Sequence, residues 1–312
     1  APQIHADGSG PLILTNVVND FATPTGAKTL TLRGSNTANN MITSALTNDA
    51  GGGALGVTVD GGATWILTGA STYTGTTTLG AGALGIATST LGSGAGNLDL
   101  SAGNFFAYGA DRTVSNPVRL INNQTTAAFG DYSLTFSQAL QLLNAANNTA
   151  LTNNIVSGKS LTFTGMSANS LPNNANRLWT LDGSGTTIIN GDITTSQTAA
   201  GGLNITKNGD GILILGGTGS NTNNFNRNNA GIDFDRGTIR LTASEVIGHG
   251  LDNQTVPVTY GGLTLSPELA TSDTATFDLN GQTETINALT AITDGAVIID
   301  NTSASPATFT FG

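Results

Sequence analysis

The residues best placed to do chemistry are two aspartates, Asp233 and Asp235, in the run Gly231-Ile232-Asp233-Phe234-Asp235-Arg236. Two apart on a strand, they share one face. Paired carboxylates there could serve acid/base catalysis or supply hard oxygen ligands to calcium. The same run also reads as a solvent-facing strand edge whose aspartates have Arg236 as a local counter-ion. Other catalytic signatures fail on type or spacing. The chain has 2 His and no Cys, which excludes disulfides, thiolate zinc sites and cysteine nucleophiles. His249 lies in Gly248-His249-Gly250, a loop composition. Gly92-Ser93-Gly94 and Gly183-Ser184-Gly185 miss the spacing of a serine nucleophile elbow and read as turns. Trp65 and Trp179 occupy positions held elsewhere by Leu, so they are expected in a core rather than as sugar platforms. Asp233 and Asp235 remain the only calcium candidates. No cofactor and no enzymatic activity are expected.

The elements that would position these residues are strands. A Leu/Trp-x-Leu-x-Gly pattern occurs at Leu30-Thr31-Leu32-Arg33-Gly34, Trp65–Gly69, Trp179–Gly183 and Leu213–Gly217. A Gly-x-Leu-x-aliphatic-Thr pattern occurs at Gly10–Thr15, Gly53–Thr58 and Gly201–Thr206. Both place apolar residues two apart and then break at Gly, which is the period of a strand. Asp-Gly and Asn-Gly pairs such as Asp60-Gly61, Asn208-Gly209 and Asn280-Gly281 supply turns between them. Copies of the first pattern recur about 150 residues apart, which divides the chain into related units at 28–176 and 177–312, the second incomplete. Two stretches, Ser137–Asn148 and Ala243–Gly248, have helical composition and are expected as decorations on loops.

Composition narrows the partners. The 312 residues carry 20 Asp+Glu against 10 Lys+Arg, a formal net charge of −10. Phosphate neutralisation needs clustered cations, so a nucleic acid partner is not expected. No apolar run approaches the ~18–20 residues of a membrane span, so no membrane insertion by this segment is expected. Charged residues are only 10% of the chain, against roughly 25% in an average domain, so Thr, Asn, Ser and the 42 Gly must make the surface. Many short strands with Gly- and Asn-rich corners and no α/β pattern favour a solenoid over a sandwich or propeller, with ~22–27 residues per coil.

The stretch Val57–Ile86, VTVDGGATWILTGASTYTGTTTLGAGALGI, resembles the passenger-associated β-strand repeat of bacterial autotransporters and related surface proteins. The matching parts are Gly61-Gly62, Trp65–Gly69, Ser71–Gly75, Thr77–Leu79 and Ala81–Leu84. Ile205–Gly211 and Leu213–Gly217 match again, after which Asn223-Asn224-Phe225-Asn226 departs from the pattern. The resemblance implies a right-handed, single-stranded parallel β-helix displayed outside a Gram-negative-type bacterium, and it transfers no catalytic residue.

The expected protein is thus one continuous all-β solenoid over 1–312 with a few loop insertions. It would be a structural component of a cell-surface or extracellular fibre or stalk. The alternatives are an adhesin touching a host surface or glycan through loops at 137–176 and 218–232, and a polysaccharide-degrading β-helix enzyme. Leu30, Leu32, Trp65, Leu67, Trp179, Leu181, Leu213 and Leu215 are expected to point inward in stacked columns. Leu12, Leu14, Phe309 and Phe311 are expected at ends that stack on an identical subunit, head-to-tail, or on adjoining repeats of a longer chain.

Overall fold

The computed structural model describes residues 2–17, 26–121, 125–143, 148–168, 177–195, 203–217, 231–249, 251–252, 258–259, 261–267, 272–291 and 295–312. Within them the chain is all β, without helix, and coils as a parallel β-solenoid. Successive coils contribute strands to three long sheets of nine, twelve and eight strands. The first sheet runs from Gln3–Ala6 to Ile193–Thr194, the second from Ile13–Leu14 to Leu289–Ala291, and the third from Arg112–Val114 to Ala296–Asp300. The second sheet is the common spine, because it alone has a strand at every level from the first to the last.

Alternation decides which side chains enter the core. In the first sheet the register stacks Leu32, Val59, Leu79, Leu100, Leu120 and Leu142 on one another, each at most 2% exposed. In the third sheet Val114, Phe136, Phe163, Ile189, Leu215 and Leu241 form the equivalent column. There the Phe136 and Phe163 rings stack 5.4 Å apart and nearly parallel, at 7°. The eight Leu and Trp positions of the recurrent pattern are all buried. They do not share one column, however. Leu30 and Leu32 lie in the first sheet, both Trp copies in the second, and Leu213 and Leu215 in the third.

The pattern is therefore a local grammar of strand followed by corner, usable on any sheet. Its terminal glycine has a steric cause. A Cβ on Gly69 would lie 2.0 Å from the Ser44 carbonyl oxygen of the preceding coil, and one on Gly183 would lie 2.2 Å from that of Asn153, where φ is also +96°. Coils stacked one strand spacing apart leave no room for a side chain at such a corner.

Two readings of the sequence are corrected. Leu140–Leu142, inside the stretch with helical composition, is a strand paired in register with Val118–Leu120. The ladder and the burial of Leu140 and Leu142 override the helical propensity of Ala, Gln and Leu. Residues 243–248 form bends, not a helix. Of the adhesive loop expected at 137–176, strands Leu140–Leu142, Asn148–Ile155, Ser160–Phe163 and Met166–Ser167 occupy much of the described part, and 144–147 and 169–176 lie outside the described residues. Of the other expected loop, 218–230 lies outside the described residues and Ile232 opens a strand of the second sheet. Coil length varies more than expected, from the 19-residue step between Ile66 and Gly85 to the 38-residue step between Ile239 and Phe277.

Truncating a core wall tests this packing. Leu67→Ala and Leu215→Ala should each cost about 2–5 kcal/mol, as buried leucines do elsewhere. Urea unfolding that shows losses below about 1 kcal/mol at both sites would contradict the inward stacking.

Candidate functional site

The charged groups concentrate where the strand Leu203–Lys207 turns toward Ile212–Leu215, next to the strand Ile232–Phe234. Leu203, Ile205 and Lys207 have the same strand parity, so Lys207 is carried inward and is only 1% exposed. Its ammonium donates to the carbonyl oxygens of Gly209 and, at 3.1 Å, Arg236. Burial pulls the Lys207 pKa down to about 8, opposed by the nearby charges of Asp182, Asp210 and Asp235 and reinforced by Arg236. Arg236 in turn donates to the Asn208 carbonyl at 2.8 Å and pairs with Asp210 at 3.1 Å and Asp273 at 3.7 Å. Beside this pair is an open pocket of about 300 Å³ lined by Asp210, Gly237, Thr238, Ser272, Asp273, Thr274 and Thr276.

The two sequence candidates do meet. Asp233 and Asp235 both approach the Ser266 hydroxyl of the next coil, at 2.5 Å and 3.0 Å. One hydroxyl carries one proton, so it can donate to only one of the two carboxylates at a time. Arg236, expected as their counter-ion, reaches Asp210 and Asp273 on neighbouring coils. Among the described residues no three His, Asp or Glu side chains form a group able to hold a metal. The pair thus ties one coil to the next through Ser266. His5 lies beside Gln3 and Asp7, and His249 lies 3.4 Å from Glu245. Trp65 and Trp179 are 0% exposed, which removes both as sugar platforms.

A second buried ionisable group escaped the sequence reading. Glu284 is 0% exposed and accepts hydrogen bonds from the backbone amides of Val246 and Ile247, both at 2.8 Å. Burial outweighs those bonds and raises its pKa to about 8. The signal for both groups was strand parity: Lys207 follows Leu203 and Ile205 at steps of two, and Glu284 precedes Ile286 by two. Asp278 shows the opposite balance. Burial pushes its carboxyl up, but hydrogen bonds from Thr302, Arg240 and Asn280 hold it below the usual carboxylate range.

Cations elsewhere are used in the same way. Arg33 pairs with Asp60 at 2.5 Å, Arg119 grips Asp99 at 2.5 and 2.7 Å, Arg240 pairs with Asp278 at 2.7 Å, and Lys159 with Asp111 at 2.9 Å. Each pair joins residues at least 20 apart in sequence, so each links coils. Comparisons with known proteins find no matching family, no matching curated protein and no matching solved structure. The resemblance to passenger repeats therefore rests on the residues quoted above, and the β-solenoid supports its coarse part, the fold.

Two outcomes are expected. Removing divalent cations with EDTA, or making Asp233→Asn or Asp235→Asn, should leave the thermal midpoint nearly unchanged; a large drop on chelation would move both carboxylates into a calcium site. The second concerns pH. Glu284 has a folded pKa raised from 4.5 to about 8, so its contribution is full below 4.5 and is lost as pH rises through 8. Lys207 is lowered from 10.5 to about 8, so its effect falls between 8 and 10.5, outside that window. Stability in urea should fall from pH 5 to 8, Glu284→Gln should flatten the fall, and Lys207→Met should not.

Proposed function

We propose that this chain is a non-catalytic structural segment of an extracellular fibre, sheath or stalk on a Gram-negative-type bacterial surface. The observation that carries the reading is the second sheet, whose twelve parallel strands run the length of the described solenoid. A stack of this kind has one long axis, and each coil is held by hydrogen bonds to the coils on either side. That is the mechanical form of a spacer or rod. The charge pattern supports the same reading, because the cations described above are spent on links between coils instead of converging on a substrate.

In this reading the solenoid extends by stacking. Among the described residues the large apolar side chains that stand exposed are Ile13, Val156, Ile298, Ile299 and Phe311. Four of the five lie on outermost strands: Ile13 on the first strand of the second sheet, Ile298 and Ile299 on the last of the third, Phe311 on Thr308–Phe311. Leu12 and Leu14 at one end, and Phe309 at the other, are half-buried against the core. Phe309 contacts both Phe277 and Phe311, with ring centroids 5.5 Å away in each case. An open solenoid end exposes strand edges and apolar columns that a further coil would cover. We take the covering coil to come from a second copy, head-to-tail, or from adjoining repeats of a longer chain.

Sedimentation and negative-stain images across a concentration series test this. Rods lengthening with concentration are expected, and Ile299→Lys with Phe311→Asp should abolish the lengthening while leaving the β-rich spectrum intact. A chain that stays monomeric at high concentration overturns head-to-tail assembly.

A further inference from the structure

Among the described residues, aromatic side chains along the coils go inward, with one cluster of exceptions. Both tryptophans, Tyr73 and five phenylalanines are fully buried. Phe106, itself buried, Tyr108 and Phe129 instead gather at one place on the solenoid's side, and Tyr132, which packs against the main core, borders them. The strand Gly103–Ala107 pairs Phe105 with Leu84 on one side and Ala128 on the other. Phe105 points into the core, so Phe106 and Phe129 face out from the second sheet on adjacent coils. Their rings lie 4.8 Å apart at 43°, and Tyr108 meets Phe106 edge-on at 6.5 Å and 71°. Beneath them is a small apolar cluster separate from the core, made of Ile66, Ala83 and Phe106 with Met41 and Ala87.

The seat is shaped by Gly85. A Cβ there would fall 2.8 Å from the Ile66 side chain and 2.9 Å from the Phe106 ring, so only glycine lets that ring lie down on the sheet. The rings, with Asp131 and the backbone of Gly109 and Gly130, line an open cleft of about 370 Å³. Both glycines have positive φ, +76° and +106°, which favours glycine there, and neither puts a side chain into the cleft. Asp131 is exposed, and Phe129, Tyr108 and Tyr132 are half-buried.

We propose that this cleft binds a neutral oligosaccharide. Its volume falls in the range of small-ligand sites, ~300–1,000 Å³. A pyranose has a face of C–H groups whose partial positive charge suits the electron-rich faces of aromatic rings. Its hydroxyls need acceptors and donors, which the Asp131 carboxylate, the tyrosine hydroxyls and the glycine backbone provide. Charge selects against an acidic ligand. Arg112 is turned back on the Tyr108 carbonyl at 2.8 and 3.2 Å, and Lys159 pairs with Asp111. Asp131 is the carboxylate among the lining side chains, and the chain as a whole is at −10, which disfavours an acidic ligand even with the Arg112 guanidinium beside Gly109. This site is independent of stacking at the solenoid ends, and it sits outside both loops from which adhesion was expected.

The test uses the full 312-residue chain with maltohexaose, cellohexaose and chitohexaose as probes, and heparin hexasaccharide as the acidic control. Saturation-transfer NMR and calorimetry should show binding of at least one neutral hexasaccharide and none of heparin. Tyr108→Ala and Tyr132→Ala should each weaken that binding by about tenfold, whereas Tyr108→Phe and Tyr132→Phe, which keep the packing of these half-buried rings, should lose less. Asp131→Asn, at an exposed position that the fold does not need, should also weaken it. Failure of all three neutral probes overturns the proposal, as does binding that survives the Ala and Asn variants or a preference for heparin. So does loss of self-association in Tyr132→Ala, which would make the cleft a contact between copies.

Discussion

Every other feature of this molecule depends on the parallel ladder of backbone hydrogen bonds between successive coils. Such a ladder fixes the distance between coils at the strand spacing, about 4.8 Å. That distance is too small for most side chains at a corner, so corners are built from glycine, as at Gly69 and Gly183, or from short polar residues that bond the neighbouring backbone. It also fixes register, and register turns each inward position into a column. The aliphatic column from Leu32 to Leu142 and the stacked Phe136 and Phe163 rings are consequences of the ladder as much as of hydrophobicity.

The ladder leaves polar groups inside, and the molecule satisfies them with residues that reach between coils. The Asn40 side chain accepts from the Leu12 amide and donates to the Thr64 carbonyl, so one residue touches the coils on both sides. Asn116 holds a corner to the preceding coil, accepting from the amide of Leu91 and donating to its carbonyl and to that of Gly96. Lys207 and Glu284 are ionisable versions of this device, one donating to carbonyls and the other accepting from amides. Breaking a buried hydrogen-bonded group leaves its partner stranded, which costs more than the bond itself contributes. These staples hold the corner geometry that the glycines permit.

Because inward positions and corners are committed to the stack, function falls to the outward strand positions and the two ends. Thr and Asn fill most of the outward positions and give a polar, weakly charged surface. Against that background the outward rings near Phe106 and Phe129 and the apolar side chains on the outermost strands stand apart. Neither is needed to close a coil.

The sequence by itself determined that the chain is mainly strand and corner, because a period of two broken by Gly, Asn-Gly and Asp-Gly is readable locally. It also determined the inward set within each strand, since parity is local too, and Trp65, Leu67, Leu181 and Leu215 could be named from it. Which strands share a sheet was decided only by the tertiary structure. Coil length varies from step to step, so copies of one motif about 150 residues apart arrive on different sheets. The strand at Leu140–Leu142 was hidden for the same reason: a ladder supplied by Val118–Leu120 outweighed a helical composition. The candidate site was half legible. Asp233 and Asp235 were visible as a pair, but Ser266 joins them from about thirty residues away. Tyr108 and Tyr132 come together only because neighbouring coils bring 106–109 beside 129–132. Contacts between coils join residues that no local pattern relates, and the lengths of the intervening turns set which residues those are.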